Sequence, residues 1–209
     1  MKKIINFSVS NILHSMITNE PEDRGMSWEY CFDFFQDNVL IKKSFVQQYA
    51  ALMLGFYLAS WGMYRGSSQL LQKYTYTIHY EAIKIILDNP ENIQKCFDEL
   101  SEYYKGKEVS PTDTLITKIM LGVLGNVAAY DRFFIDGLRI FNAKFDLKLS
   151  YKFTEKNFIE VVETLKRTDI IKEIGNIEDV RIKTASQKEI PLAKKIDMYF
   201  WELGRLANL

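Results

Sequence analysis

The sequence predicts an all-α protein: a single globular helical domain of about eight to ten helices around a central buried helix. Apolar residues recur at helical spacing almost everywhere along the chain, as at Phe134, Leu138 and Phe141. No convincing run alternates between apolar and polar residues as a half-buried strand would. Proline and N-cap residues fall where periodic segments start or stop, as at Asn89-Pro90, Ser110-Pro111 and Pro191. A chain of 209 residues is long enough for one sizeable core, with two lobes split near 105–110 as the alternative.

The first helix is expected over Ile4 to Ile17, followed by a loop from Asn19 to Gly25. Ser27 is a plausible N-cap for a second helix that places Trp28, Cys31, Phe32 and Phe35 on one face. The third, from Ser44 to Trp61, carries a stripe of Phe45, Tyr49, Leu52, Met53 and Phe56, and Leu54, Tyr57 and Leu58 make its other side apolar too. A helix apolar all round belongs in the middle. Between Ser44 and Tyr64 there is no charge, but Gln47, Gln48, Gly55, Ser60 and Gly62 dilute the run, so it reads as an enclosed helix rather than a membrane span.

Ser67 or Ser68 can cap a short helix reaching Lys73. Tyr76 to Asp88 is the next helix, ended by Asn89-Pro90, because a residue before proline leaves the helical region. Glu91 to Tyr104 is a more polar outer helix, and Pro111 opens another that runs from Thr112 to Leu121. After a hinge at Gly122 to Gly125, a helix is expected from Val127 to Phe141, burying Val127, Tyr130, Phe134, Leu138 and Phe141. Arg132, Asp136 and Arg139 take its wet face, and Asp131 sits at the margin of the buried arc. Thr154 to Arg167 is helical, Glu173 to Ile190 is a mixed segment of short strands or loop, and the last helix opens at Pro191.

Lysine plus arginine equals aspartate plus glutamate at 27 each, so no overall field recruits nucleic acid or an acidic membrane. Cys31 and Cys96 lack metal-ligand spacing and read as free buried thiols of a reducing cytoplasm. Polar residues break the N-terminal apolar stretch, which does not read as a signal peptide. No HExxH, paired CxxC or Gly-x-Ser-x-Gly occurs, so no metal, cofactor or elbow-type serine hydrolase is implied.

The stretch Ala59 to Gln72, ASWGMYRGSSQLLQ, interrupts the most apolar part of the chain with an arginine, a glycine and two hydroxyls. Gly66 permits positive φ, and the amides of Ser67 and Ser68 would open a helix beside Arg65, an arrangement suited to a phosphate or carboxylate. Trp61 and Tyr64 could stack a base or aromatic ring. The structural alternative is a capped turn in which Arg65 pairs with an internal carboxylate such as Asp131 or Asp197. His79, on the inward face of its helix, is either a satisfied core histidine or a general base that could orient Ser67. Asp131 must find a donor or stay protonated, and if Arg65 is that donor the two motifs share one pocket. Asp197, in IDMYFWE, is expected at the core edge with one buried ion pair.

With the strings ASWGMYRGSSQLLQ, AYDRFF and KKIDMYFWELG in view, the chain resembles a family of bacterial all-helical proteins of similar size that has no established activity. The resemblance covers roughly 45 to 204 and implies a bacterial, cytosolic helical protein. A second resemblance, to the helix-hairpin-helix DNA glycosylases, rests on Leu121-Gly122-Val123-Leu124-Gly125 followed by Asp131. The chain departs from that pattern: the glycines are one residue too far apart, the hairpin has no lysine, and Asp131 follows almost at once.

Two functions are therefore expected from the sequence. In the first, an anionic or nucleotide-like ligand is bound by Trp61, Tyr64, Arg65, Ser67 and Ser68. In the second, a nucleic-acid-processing enzyme uses Asp131 as catalytic carboxylate, with Lys118, Lys144, Lys148 and Lys152 on phosphates. The first is favoured.

Overall fold

Four helices begin on a side chain that accepts the amide three residues on: Asn92 from Lys95, Thr112 from Leu115, Asp131 from Phe134 and Thr154 from Asn157. Such caps satisfy amides that have no partner inside the helix. The computed structural model describes residues 8–16, 24–37, 44–66 and 68–208. They form α1 (Val9–Ser15), α2 (Arg24–Asp37), α3 (Ser44–Ser60), α4 (Gln69–Lys73), a 3-10 turn (Tyr76–Ile78), α5 (His79–Asp88), α6 (Ile93–Gly106) and α7 (Asp113–Val123). Then come α8 (Arg132–Phe145), α9 (Glu155–Leu165), α10 (Thr168–Ile174) and α11 (Leu192–Ala207). Among the described residues there is no sheet, only an isolated antiparallel bridge between Lys183 and Glu189. The fold is all-α.

Contacts divide the chain into two units: Asn19–Asn126, and Met1–Thr18 with Val127–Leu209. Residues 105–110 lie inside the first of these, at the end of α6 and in the link to α7.

In the unit Asn19–Asn126, α3 packs against α2, α5, α7 and the 3-10 turn. Its buried face is Ala50, Ala51, Leu54, Tyr57 and Leu58. Tyr49, Leu52 and Phe56 lie on the outer face, with Phe56 56% exposed, so the expected stripe is the outward one; the Phe45 side chain lies outside the described residues. Small residues decide the orientation, because they let neighbours come close. A Cβ on Gly55 would stand 3.0 Å from Tyr76 Cβ. Gly122 on α7 is held in the same way, with a Cβ there meeting the Tyr57 ring at 2.8 Å. Trp28 Nε1 donates to Leu121 O at 3.0 Å, which fixes α2 on α7. Ser27 does not cap α2; it lies within the helix and donates to Arg24 O, the back-bond open to a serine inside a helix.

In the other unit, α8 and α11 pack backbone to backbone. A Cβ on Gly137 would lie 1.9 Å from Phe200 O, and one on Gly204 would lie 1.9 Å from Phe133 O. Around this crossing Phe134, Phe141, Tyr199 and Phe200 are buried in edge-on ring contacts. The segment 127–131 is not the first turn of α8, although its spacing suits one. Val127 to Tyr130 are buried, Ala129 N donates to Asp197 Oδ1 at 3.0 Å, and Asp131 is the N-cap in extended backbone. A capping aspartate and a carboxylate that takes up the Ala129 amide outweigh the helical spacing. In the mixed segment, Thr184 N donates to Lys188 O and Ile190 N to Ile182 O, a short hairpin around the bridge.

No helix formed by the described residues is long and apolar enough to cross a membrane. Cys31 and Cys96 are both free and buried.

Candidate functional site

The chain leaves α3 through a turn that closes on itself. Gly62 N donates to Ala59 O and Met63 N to Leu58 O, and Gly62 takes φ +78, a left-handed conformation that favours glycine. Gly66 does the same at φ +58. Ser68 N donates to Arg65 O, and Ser68 Oγ donates to Met63 O at 2.6 Å. Ser68 stands in the N-cap position of α4 but accepts no helix amide, and its hydroxyl proton goes to the turn. The hydroxyl oxygen can still accept from a ligand.

The turn forms one wall of a cavity of about 440 Å³. Met63, Arg65, Ser68 and Leu70 lie on that side, and Val109, Ser110, Thr112 and Leu115 at the start of α7 face them. Arg65 folds over Gly62, whose Cβ, if present, would be 3.0 Å from the arginine Nε. Arg65 is exposed and forms no ion pair with a described residue of its own unit. Thr112 Oγ1 accepts from Leu115 N and keeps its own proton to donate. The walls thus combine apolar side chains with one guanidinium, the Gln69 amide and the hydroxyls of Ser68, Ser110 and Thr112, beside the N-terminus of an eleven-residue helix.

Behind the turn runs a polar chain. Tyr64 Oη lies 2.6 Å from His79 Nε2, and His79 Nδ1 lies 2.7 Å from Tyr104 Oη. His79 and Tyr104 are completely buried. Burial pushes the imidazole down to about 3 and the Tyr64 phenol up to about 12, so all three groups are neutral across the ordinary pH range. Tyr103 Oη donates to Ile78 O at 2.7 Å, a second tie from α6 to the start of α5.

Of the residues expected to hold a ligand, Arg65 and Ser68 line the cavity. Trp61 and Tyr64 do not: Tyr64 turns to His79, and the Lys118 ammonium sits 4.7 Å from the centre of the Trp61 ring. Ser67 lies outside the described residues. Gly62, Val109, Ser110 and Thr112 join the site without having been singled out as ligand contacts. Ser110-Pro111-Thr112 reads in the sequence only as a helix start, and nothing local shows that it meets a turn some 45 residues earlier.

Asp131, in the other unit, uses its carboxylate as the cap of α8 at 3.1 Å from Phe134 N. Asp197 pairs with Lys194 at 2.8 Å, both almost fully buried, the single buried ion pair expected of that helix. Of the four lysines expected on phosphates, Lys118 is buried, Lys144 pairs with Glu173, and Lys148 and Lys152 are exposed. The described residues contain no cluster of metal-ligating side chains. No protein-family model, curated protein or solved structure matches the chain.

Proposed function

We propose that the chain binds a small anionic ligand with an apolar body in the cavity between the 62–68 turn and the start of α7. The observation that carries this reading is Arg65: a guanidinium with no ion pair to a described residue of its unit, at the wall of a cavity of about 440 Å³. That volume lies in the range of small-molecule sites, which combine apolar walls with a few convergent polar groups. Arg65 supplies the charge and a planar donor fork, which suits carboxylate and phosphate alike. The hydroxyls of Thr112 and Ser110 add donors, and the positive end of the α7 dipole favours the same sign of ligand. Met63, Leu70, Val109 and Leu115 take the apolar part. A nucleotide reaches this cavity through its phosphate, and its base finds aliphatic side chains there instead of the Trp61 ring.

The test is thermal unfolding of wild type and Arg65→Ala with phenyl phosphate, benzoate and adenosine monophosphate. A ligand at 100-fold over its dissociation constant stabilises the native state by ~2.7 kcal/mol. Such a shift in wild type that is lost in Arg65→Ala supports the site. Equal shifts in both proteins, or none in either, refute it.

A further inference from the structure

The order of protons along Tyr64, His79 and Tyr104 follows from which ends of the chain reach water. Neutral imidazole has one donor nitrogen and one acceptor, and a tyrosine hydroxyl has a single proton to give. If Nδ1 carried the proton and donated to Tyr104, the Tyr104 hydroxyl would have to place its own proton elsewhere. Tyr104 is fully buried, and its only hydrogen-bond partner among the described side chains is His79. An orphaned buried donor of this kind is strongly disfavoured. In the opposite order Tyr104 donates to Nδ1, Nε2–H donates to Tyr64 Oη, and half-buried Tyr64 sends its proton to water. Every buried donor is then satisfied.

The same chain joins the two walls of the cavity. Tyr64 lies between Met63 and Arg65, which line one wall. Tyr104 holds the other, because its carbonyl accepts from Val109 N at 2.9 Å, and Val109 is followed directly by Ser110. His79 stands behind the cavity and touches neither Arg65 nor the α7 cap in any hydrogen bond among the described residues.

We propose that His79 is a positioning residue for this cavity: fixed as its Nε2–H tautomer by Tyr104, it sets ligand affinity by holding the Arg65 wall against the Val109 wall. The affinity part rests on the anion-site reading above; the tautomer part does not.

The experiment uses the full chain labelled with ¹⁵N at its two histidines, His79 being assigned with His79→Gln. Long-range proton–nitrogen correlation reads the tautomer, and calorimetry reads the affinity for phenyl phosphate. The expected wild-type signature is a pyrrole-type Nε2 and a pyridine-type Nδ1, unchanged from pH 5 to 8. Tyr104→Phe leaves one unsatisfied ring nitrogen whichever tautomer forms, so the signature becomes mixed. Binding then weakens roughly three- to tenfold, the affinity equivalent of one hydrogen bond. Should Tyr104→Phe fail to fold, Tyr64→Phe at the half-buried end gives the same affinity readout. A protonated Nδ1 in wild type overturns the proposal, as does wild-type affinity in both tyrosine variants. A wild type with the expected signature that binds no phenyl phosphate overturns the anion-site reading and the affinity part, and leaves the tautomer assigned.

Discussion

A histidine sealed between two tyrosine hydroxyls can be protonated only by placing a charge where water does not reach. At His79 this lowers the imidazole from its usual 6.5 to about 3, with burial as the cause. The sign of the consequence follows from the two states. Below pH 6.5 the unfolded chain takes up a proton at this position, while the native protein does not until about pH 3. Native stability therefore falls as pH drops through that window, with a slope of up to ~1.4 kcal/mol per pH unit, and is unaffected by this group above it. Urea unfolding between pH 7 and pH 4 checks this, because His79→Gln removes the slope contributed by the imidazole. The two proteins should diverge toward lower stability of the wild type as the solution is acidified; parallel profiles would contradict the burial assigned to the ring.

The residue scale also shows what the sequence made visible. The Arg-Gly-Ser-Ser turn stands out because charge and hydroxyls follow an uncharged run, and Arg65 and Ser68 do line the cavity. The inward placement of His79 was readable from helical spacing, but its two tyrosine partners were not, since they lie 15 and 25 residues away. Trp61 looked like a stacking platform because an indole beside an arginine suggests one; its position under the Lys118 ammonium is a tertiary contact between the end of α3 and α7. That cation–ring contact ties the indole to α7, away from the cavity lining.

Helices here are placed by their smallest residues as much as by their largest. On α3 both sides are apolar, so periodicity gave no means of ranking them, and Ala50, Ala51 and Gly55 allowed its neighbours close on one side. Tyr49, Leu52 and Phe56 were left outward for that reason. Between α8 and α11 the effect is stronger. Gly137→Ala and Gly204→Ala each drive a methyl group into a backbone carbonyl of the facing segment, which cannot rotate away as a side chain would. Each should destabilise by about 3 kcal/mol or more, at or above the upper end for overpacking, because the two helices must separate. Gly106→Ala is the matched control: it ends α6 with nothing within 4 Å of the added carbon and should be neutral or stabilising by up to ~1 kcal/mol. Chemical denaturation of the three variants checks the contrast. A Gly137→Ala protein as stable as Gly106→Ala would mean that α8 and α11 do not cross at these glycines.

At the scale of the whole molecule, the division of the chain places every element of the candidate site in one continuous stretch. The 62–68 turn, His79, Tyr104 and the start of α7 all fall within Asn19–Asn126. The companion unit is assembled from both ends of the chain, Met1–Thr18 with Val127–Leu209, so no single excision yields it. The sequence marks both junctions, with the expected loop at Asn19 to Gly25 and the hinge at Gly122 to Gly125, but not this topology, because α1 joins α11 only through tertiary packing. The continuous unit has its own buried residues on α2, α3, α5, α6 and α7, among them Trp28, Leu54, Tyr57, Ile86, Leu100 and Ile119. A fragment of residues 19–126 should therefore be helical by circular dichroism and should unfold cooperatively in urea. If the cavity is the binding site, phenyl phosphate should raise the stability of the fragment by ~2.7 kcal/mol at 100-fold over its dissociation constant, as for the full chain, and Arg65→Ala should abolish the gain in both. A fragment that folds cooperatively but loses the ligand response, while the full chain keeps it, would mean that residues outside 19–126 complete the site. A fragment that melts without cooperativity would mean that the core of this unit does not stand alone.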